Sequence, residues 1–181
     1  MKRCLSLLSS LLCVSAFAAD PLEVGASAPK QLKALNQKGE TVELSKTLAS
    51  SGQVLVYFYP KADTPGCTKQ ACSLRDAYEV LKDLGVTVYG VSMDSVEAQK
   101  AFHEKYRLTF ELIADPEGKV VKAFGVPTRG RFPSRQAFLF EDGKLVWRDL
   151  KASTAKQADD VLKVLAQRSA TEEETPANTS G

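Results

Sequence analysis

The side chains best suited to covalent chemistry in this 181-residue chain are its four cysteines, Cys4, Cys13, Cys67 and Cys72. A thiol attacks as the thiolate, and the free amides and dipole at a helix N-terminus favour that anion. The apolar run QVLVYFYP passes through a turn-rich stretch, Lys61 to Gly66, into CTKQACSLRDAYEVLKDLG. There Leu74, Tyr78, Leu81 and Leu84 fall in line at helical spacing and Gly85 supplies a stop, so Cys67 stands at a strand-to-helix junction. Cys72 lies on the same helix. With about 1.5 Å rise and 100° of turn per residue, the two Cα atoms of an intact helix would be roughly 8 to 9 Å apart. A disulfide tolerates only about 7 Å, so the helix start must unwind before the pair can bridge.

Several readings of this pair remain open on spacing alone. A static disulfide suits an exported protein, although so short a loop removes little entropy from the unfolded chain. A catalytic switch between dithiol and disulfide suits the need to unwind. A thioredoxin-type exchange centre would use C-x-x-C rather than C-x4-C. A zinc site would need more ligands than one C-x4-C and the single histidine, His103, provide.

These residues require a scaffold, and the hydrophobic patterning predicts one. Ala28 to Leu44 reads as a hairpin around Asn36-Gln37-Lys38-Gly39, and Ser45 to Gly52 as a polar connection. QVLVYFYP has the continuous apolar character of a strand buried on both faces. VTVYGVS and FELIAD follow as strands, VEAQKAFHEKY and KVVKAFG as helices, Gln136 to Phe140 and Lys144 to Arg148 as a hairpin, and Thr154 to Gln167 as a closing helix. The order β-α-β-α-β-α-β-β-α predicts an α/β, thioredoxin-like fold: a mixed central sheet flanked by helices, with an N-terminal hairpin extension. His103 is expected on the surface, Trp147 in packing, Tyr57 and Tyr59 in the core, and Lys61 and Asp63 in a solvated loop.

The ends of the chain read differently. Lys2 and Arg3 precede an apolar run from Leu5 to Phe17, which exits through Ala16-Phe17-Ala18. This is the pattern of a cleaved signal peptide over residues 1–19, and the run is too short to span a bilayer. Lipidation at Cys13 is disfavoured, because Ser10-Leu11-Leu12 lacks the small residue expected before a lipidated cysteine. Cleavage would remove Cys4 and Cys13, leave Cys67 and Cys72 as the only thiols, and bring the formal charge from +2 to zero. Such a balance suggests no nucleic-acid partner and, once the signal is gone, no membrane partner. One domain is expected over residues 20–168, followed by a disordered tail over 169–181 with too little apolar content to fold.

Pro60, Thr64 and Cys67 fit P-x-x-x-T-x-x-C, and YFYPKADTPGCTKQACSLRD resembles the active-site segment of the peroxiredoxins, specifically the bacterioferritin-comigratory or peroxiredoxin Q group. The resemblance runs from about Val24 to Leu165. It implies a thiol-dependent peroxidase acting on hydrogen peroxide and organic hydroperoxides, with Cys67 as the peroxidatic and Cys72 as the resolving thiol, joined transiently by an intrachain disulfide. It further implies that Arg135, in SRQAFLF, is the arginine facing the reactive sulfur, with Arg129 and Arg131 its neighbours in sequence. The Thr64 hydroxyl and the Gly66 and Cys67 amides would bond the peroxide, and Pro60 would wall the pocket. No metal or haem is implied. The expected reductant is thioredoxin-like, the expected oligomeric state monomeric and the expected location the bacterial periplasm. The competing reading is a thiol:disulfide oxidoreductase of the same fold.

Overall fold

The computed structural model describes residues 20–50 and 52–173. The chain forms β1 (Ala34–Asn36), β2 (Thr41–Val42), α1 (Leu44–Ala49), β3 (Gln53–Phe58), α2 (Pro65–Asp76), α3 (Tyr78–Asp83), β4 (Val86–Ser92) and α4 (Val96–Tyr106). After these come β5 (Glu111–Ala114), α5 (Lys119–Ala123), β6 (Thr128–Arg129), β7 (Phe132–Pro133), β8 (Gln136–Glu141), β9 (Lys144–Asp149) and α6 (Gln157–Glu173). Seven strands form one sheet in the order β2-β1-β5-β4-β3-β8-β9, and β6 and β7 pair separately as a small hairpin. β3 runs parallel to β4, and β4 to β5, while β8 is antiparallel to β3.

Alternation along the central strands separates two cores. Leu55, Tyr57 and Tyr59 of the β3 segment face the helices α2, α3, α4 and α6, meeting Ala71, Leu74, Leu81, Phe102, Val161 and Leu165. Val54, Val56 and Phe58 face the other way, against Leu44 and Leu48 of α1 and Val120, Val121 and Phe124 near α5. With a helix layer on each side, β3 is buried without a break from Val54 to Phe58, as a strand covered on both faces must be.

The expected fold class is observed, with local corrections. The stretch expected as a polar connection is largely the helix α1, because Leu44 and Leu48 at i, i+4 spacing both reach the core. The single helix expected from Cys67 starts two residues earlier, at Pro65, and breaks at Ala77 into α2 and α3. Proline suits that first position, since its missing N–H would have had no intrahelical partner. α6 continues through Ser169 to Glu173, so the expected tail is helical over its first residues; 174–181 lie outside the described residues, as does the expected signal segment 1–19. The hairpin turn is held by Asn36, whose Oδ1 accepts from the amides of Lys38 (2.9 Å) and Glu40 (3.0 Å). His103 is half-buried rather than on the surface.

Candidate active site

The end of β3 delivers the chain to the site. After Phe58 and buried Tyr59 comes half-buried Pro60, and residues 61–64 then turn the backbone into α2. This turn is tied down at two points. The Ala62 amide donates to Asp94 Oδ2 at 2.8 Å, an oxygen that also accepts from the Ser92 hydroxyl at 2.7 Å. Asp63, in the left-handed region at φ 55°, accepts from Lys105 Nζ (2.7 Å) and the Tyr106 hydroxyl (2.6 Å) of α4. Both groups hold the Asp63 carboxyl below its usual range, the Lys105 hydrogen bond most. Asp63 is exposed, as expected of a loop residue, and also tethers the loop to α4.

Thr64 is the N-cap of α2, yet its side chain does not cap; the hydroxyl donates to the Lys61 carbonyl at 3.1 Å. Its proton is committed, so toward a bound ligand the oxygen is an acceptor. The first helical bond is Thr68 N to Thr64 O at 2.8 Å, leaving the amides of Gly66 and Cys67 at the open helix end. Cys67 is 2% exposed and Cys72 half-buried, and both are free thiols in the intact helix. The bridge therefore requires the unwinding inferred from helix geometry.

Arg135 lies just before β8, which pairs with β3, so register between the two strands brings it to the cysteine: Phe58 stands opposite Gln136. Its Nη2 donates to Cys67 Sγ at 3.4 Å. Arg129 and Arg131 are exposed on the β6–β7 hairpin, and Arg131 donates to the Met93 carbonyl instead. Gly66 permits the close approach: a Cβ there would stand 3.3 Å from Arg135 Nη2 and 3.4 Å from the Thr154 methyl. Sequence reasoning missed Gln70 and Gln157. Arg135 Nη1 donates to Gln70 Oε1, and Gln70 Nε2 donates to Gln157 Oε1 at 2.8 Å, with both glutamines fully buried. Only the helical offset of three residues from Cys67 to Gln70 could have pointed there, since it places both on one face.

The arrangement puts a sulfur at an open helix end, under a guanidinium, in an apolar core. It matches known proteins over most of its length. The model of the AhpC/TSA family covers residues 24–148. A peroxiredoxin Bcp of Escherichia coli is 44% identical over 144 residues, which span 74% of this chain and 90% of that protein.

The chain belongs to the AhpC/TSA family.

As a peroxiredoxin it is a thiol-dependent peroxidase. A chloroplastic peroxiredoxin Q of Sedum lineare is 42% identical over 144 residues, 77% of this chain and 76% of that protein. The bacterioferritin comigratory protein of Xanthomonas campestris, solved for its alkyl peroxide reduction activity, superposes with a TM-score of 0.73 at 25% identity, covering 82% of this chain and 99% of the other. In this peroxiredoxin, Pro60, Thr64, Gly66, Cys67, Cys72 and Arg135 lie along or beside the first turns of α2, and among the described residues no group of metal-binding side chains occurs.

Proposed function

We propose that Cys67 is the peroxidatic thiol, Cys72 the resolving thiol and Arg135 the group that holds sulfur and peroxide together. The observation that carries this reading is the Arg135 Nη2 to Cys67 Sγ contact at 3.4 Å. The Cys67 thiolate attacks one peroxide oxygen; the O–O bond breaks, and the departing alkoxide or hydroxide takes a proton to leave as alcohol or water. The Gly66 and Cys67 amides and the Arg135 guanidinium donate to the oxygen on which charge grows, and the Thr64 hydroxyl accepts from the peroxide O–H. Pro60 shields the pocket from bulk water. Cys67 is left as a sulfenic acid, which condenses with the Cys72 thiol, releasing water and forming the disulfide. A thioredoxin-like dithiol then reduces the disulfide, restoring both thiols. Hydrogen peroxide and small organic hydroperoxides are the substrates, in keeping with the alkyl peroxide activity named for the Xanthomonas protein. The catalytic set comes from one chain, so a monomer suffices.

We further propose export to the bacterial periplasm after cleavage behind Ala19. The charged start, Lys2 and Arg3, and the short apolar run that exits through Ala16-Phe17-Ala18 support this. A periplasmic fraction holding protein with Asp20 as its first residue is expected; uncleaved protein in the cytoplasm would refute export.

The catalytic reading is tested with reduced protein and hydrogen peroxide, following free thiols and peroxide loss in wild type, Cys67→Ser and Cys72→Ser. Wild type is expected to consume peroxide and form the intrachain bond, Cys72→Ser to complete one stoichiometric turnover, and Cys67→Ser to do neither. Peroxide consumption by Cys67→Ser would sink the assignment.

A further inference from the structure

The Arg135 guanidinium is held by an amide rather than a carboxylate, and the hydrogen-bond chemistry fixes the direction of everything behind it. Arginine can only donate. Gln70 must therefore turn its Oε1 to Arg135 Nη1, which aims its Nε2 away, and Gln157 must present Oε1 to receive that Nε2 at 2.8 Å. The chain ends there: Gln157 Nε2 is buried with no hydrogen-bond partner among the described residues. A buried donor left unmade is destabilising, so the unpartnered Nε2 marks the end of a chain whose direction Arg135 sets. None of the ion pairs among the described residues involves Arg135.

We propose that Gln70 and Gln157 are positioning residues that orient the Arg135 guanidinium on the Cys67 sulfur through neutral amides, leaving its full positive charge for the thiolate and the peroxide. A carboxylate at position 70 would orient the arginine equally well but share its charge. The Gln157 amide could then turn its unpartnered Nε2 to that carboxylate, so the substitution also has a ready second partner. The inference rests on the assignment of Cys67 and Arg135 above. Tyr57 of β3 and Tyr59 just after it interact electrostatically with the sulfur, and Tyr57 also with Cys72 of α2; the two tyrosines are fully buried, and burial pushes both phenols up, away from ionisation near neutrality.

The test uses the full chain carrying Cys4→Ser, Cys13→Ser and Cys72→Ser, in which Cys67 is the only thiol. Thiolate absorbance near 240 nm is titrated against pH, and the single-turnover rate with hydrogen peroxide is measured by stopped flow. Gln70→Glu is expected to shift the thiolate midpoint upward by about one pH unit, the lower end of the effect of an opposite charge on a titrating group. Gln157→Met, which keeps length but replaces the amide oxygen by a weakly accepting thioether, is expected to slow the peroxide reaction about tenfold without a comparable shift of the thiolate midpoint. An unchanged midpoint in Gln70→Glu, or a wild-type rate in Gln157→Met, would overturn the proposal. Failure of the underlying reading looks different: Arg135→Met would then react with peroxide as fast as its parent.

Discussion

Substituting Lys69 by glycine should speed formation of the Cys67–Cys72 disulfide. Four residues, Thr68 to Ala71, separate the cysteines; Gln70 and Ala71 are buried, Thr68 is half-buried and Lys69 alone is exposed. In the intact helix the cysteine Cα atoms are roughly 8 to 9 Å apart, against a disulfide limit of about 7 Å, so this segment must open. Lys69→Gly removes no core contact but lowers helix propensity by about 0.7 to 1 kcal/mol. That raises the opening equilibrium about 3- to 5-fold, and disulfide formation with it when opening limits resolution. The assay mixes reduced protein with one equivalent of peroxide, quenches with acid at intervals and counts free thiols. Lys163→Gly, at an exposed position of α6, is the control, expected to lose similar stability without a change in rate. The peroxide dose that over-oxidises half of Cys67 should rise by the same 3- to 5-fold factor. A Lys69→Gly protein that forms its bond at the wild-type rate, while melting lower as the control does, would refute control by unwinding.

Other outcomes follow from single side chains. Burial lowers the pKa of His103, with the Phe110 backbone opposing; the unfolded chain therefore binds the proton more readily, and stability present above about pH 6.5 is lost as pH falls below it. The imidazole resonances should titrate below 6.5, and His103→Gln should flatten the stability profile on that acid side. Tyr57→Phe should be neutral or mildly stabilising in urea unfolding, because the buried hydroxyl has no partner, whereas Gly90→Ala should cost about 1 to 3 kcal/mol, its Cβ standing 2.6 Å from that hydroxyl and 2.8 Å from Leu112 Cδ2. Asp63→Ala should slow the peroxide reaction and destabilise more than Asp63→Gly, since glycine suits φ 55° and only the tether is lost; the strain difference is about 1 kcal/mol.

The site was legible where chemistry demands a residue type and opaque where geometry alone selects one. Cys67 was readable from a strand, a turn and a helix in succession, and Thr64 and Arg135 through the resemblance to the peroxiredoxins. The glutamines behind it carried no such mark, because a buried amide is recognised by what it touches, and Gln70 meets Gln157 across 87 residues of sequence. Asp63 resembled ordinary loop solvation until the fold laid α4 beside it. The sheet's strands announced themselves through apolar runs. α1, by contrast, had only Leu44 and Leu48 to signal it amid polar neighbours, and the break at Ala77 is invisible to helical spacing because Tyr78 and Leu81 stay in phase across it.

The difference in access between the two sulfurs sorts visitors by size and by moment. In the proposed cycle, Cys67 at 2% exposure is open to a molecule as small as a peroxide, while a protein reductant has no foothold on the closed helix. Once the first turn has let go and the bond has formed, the same segment becomes loose chain that a partner can grip. Oxidant and reductant would thus be kept from meeting at one surface, and the reductant's electrons would be drawn only once a disulfide is there to receive them.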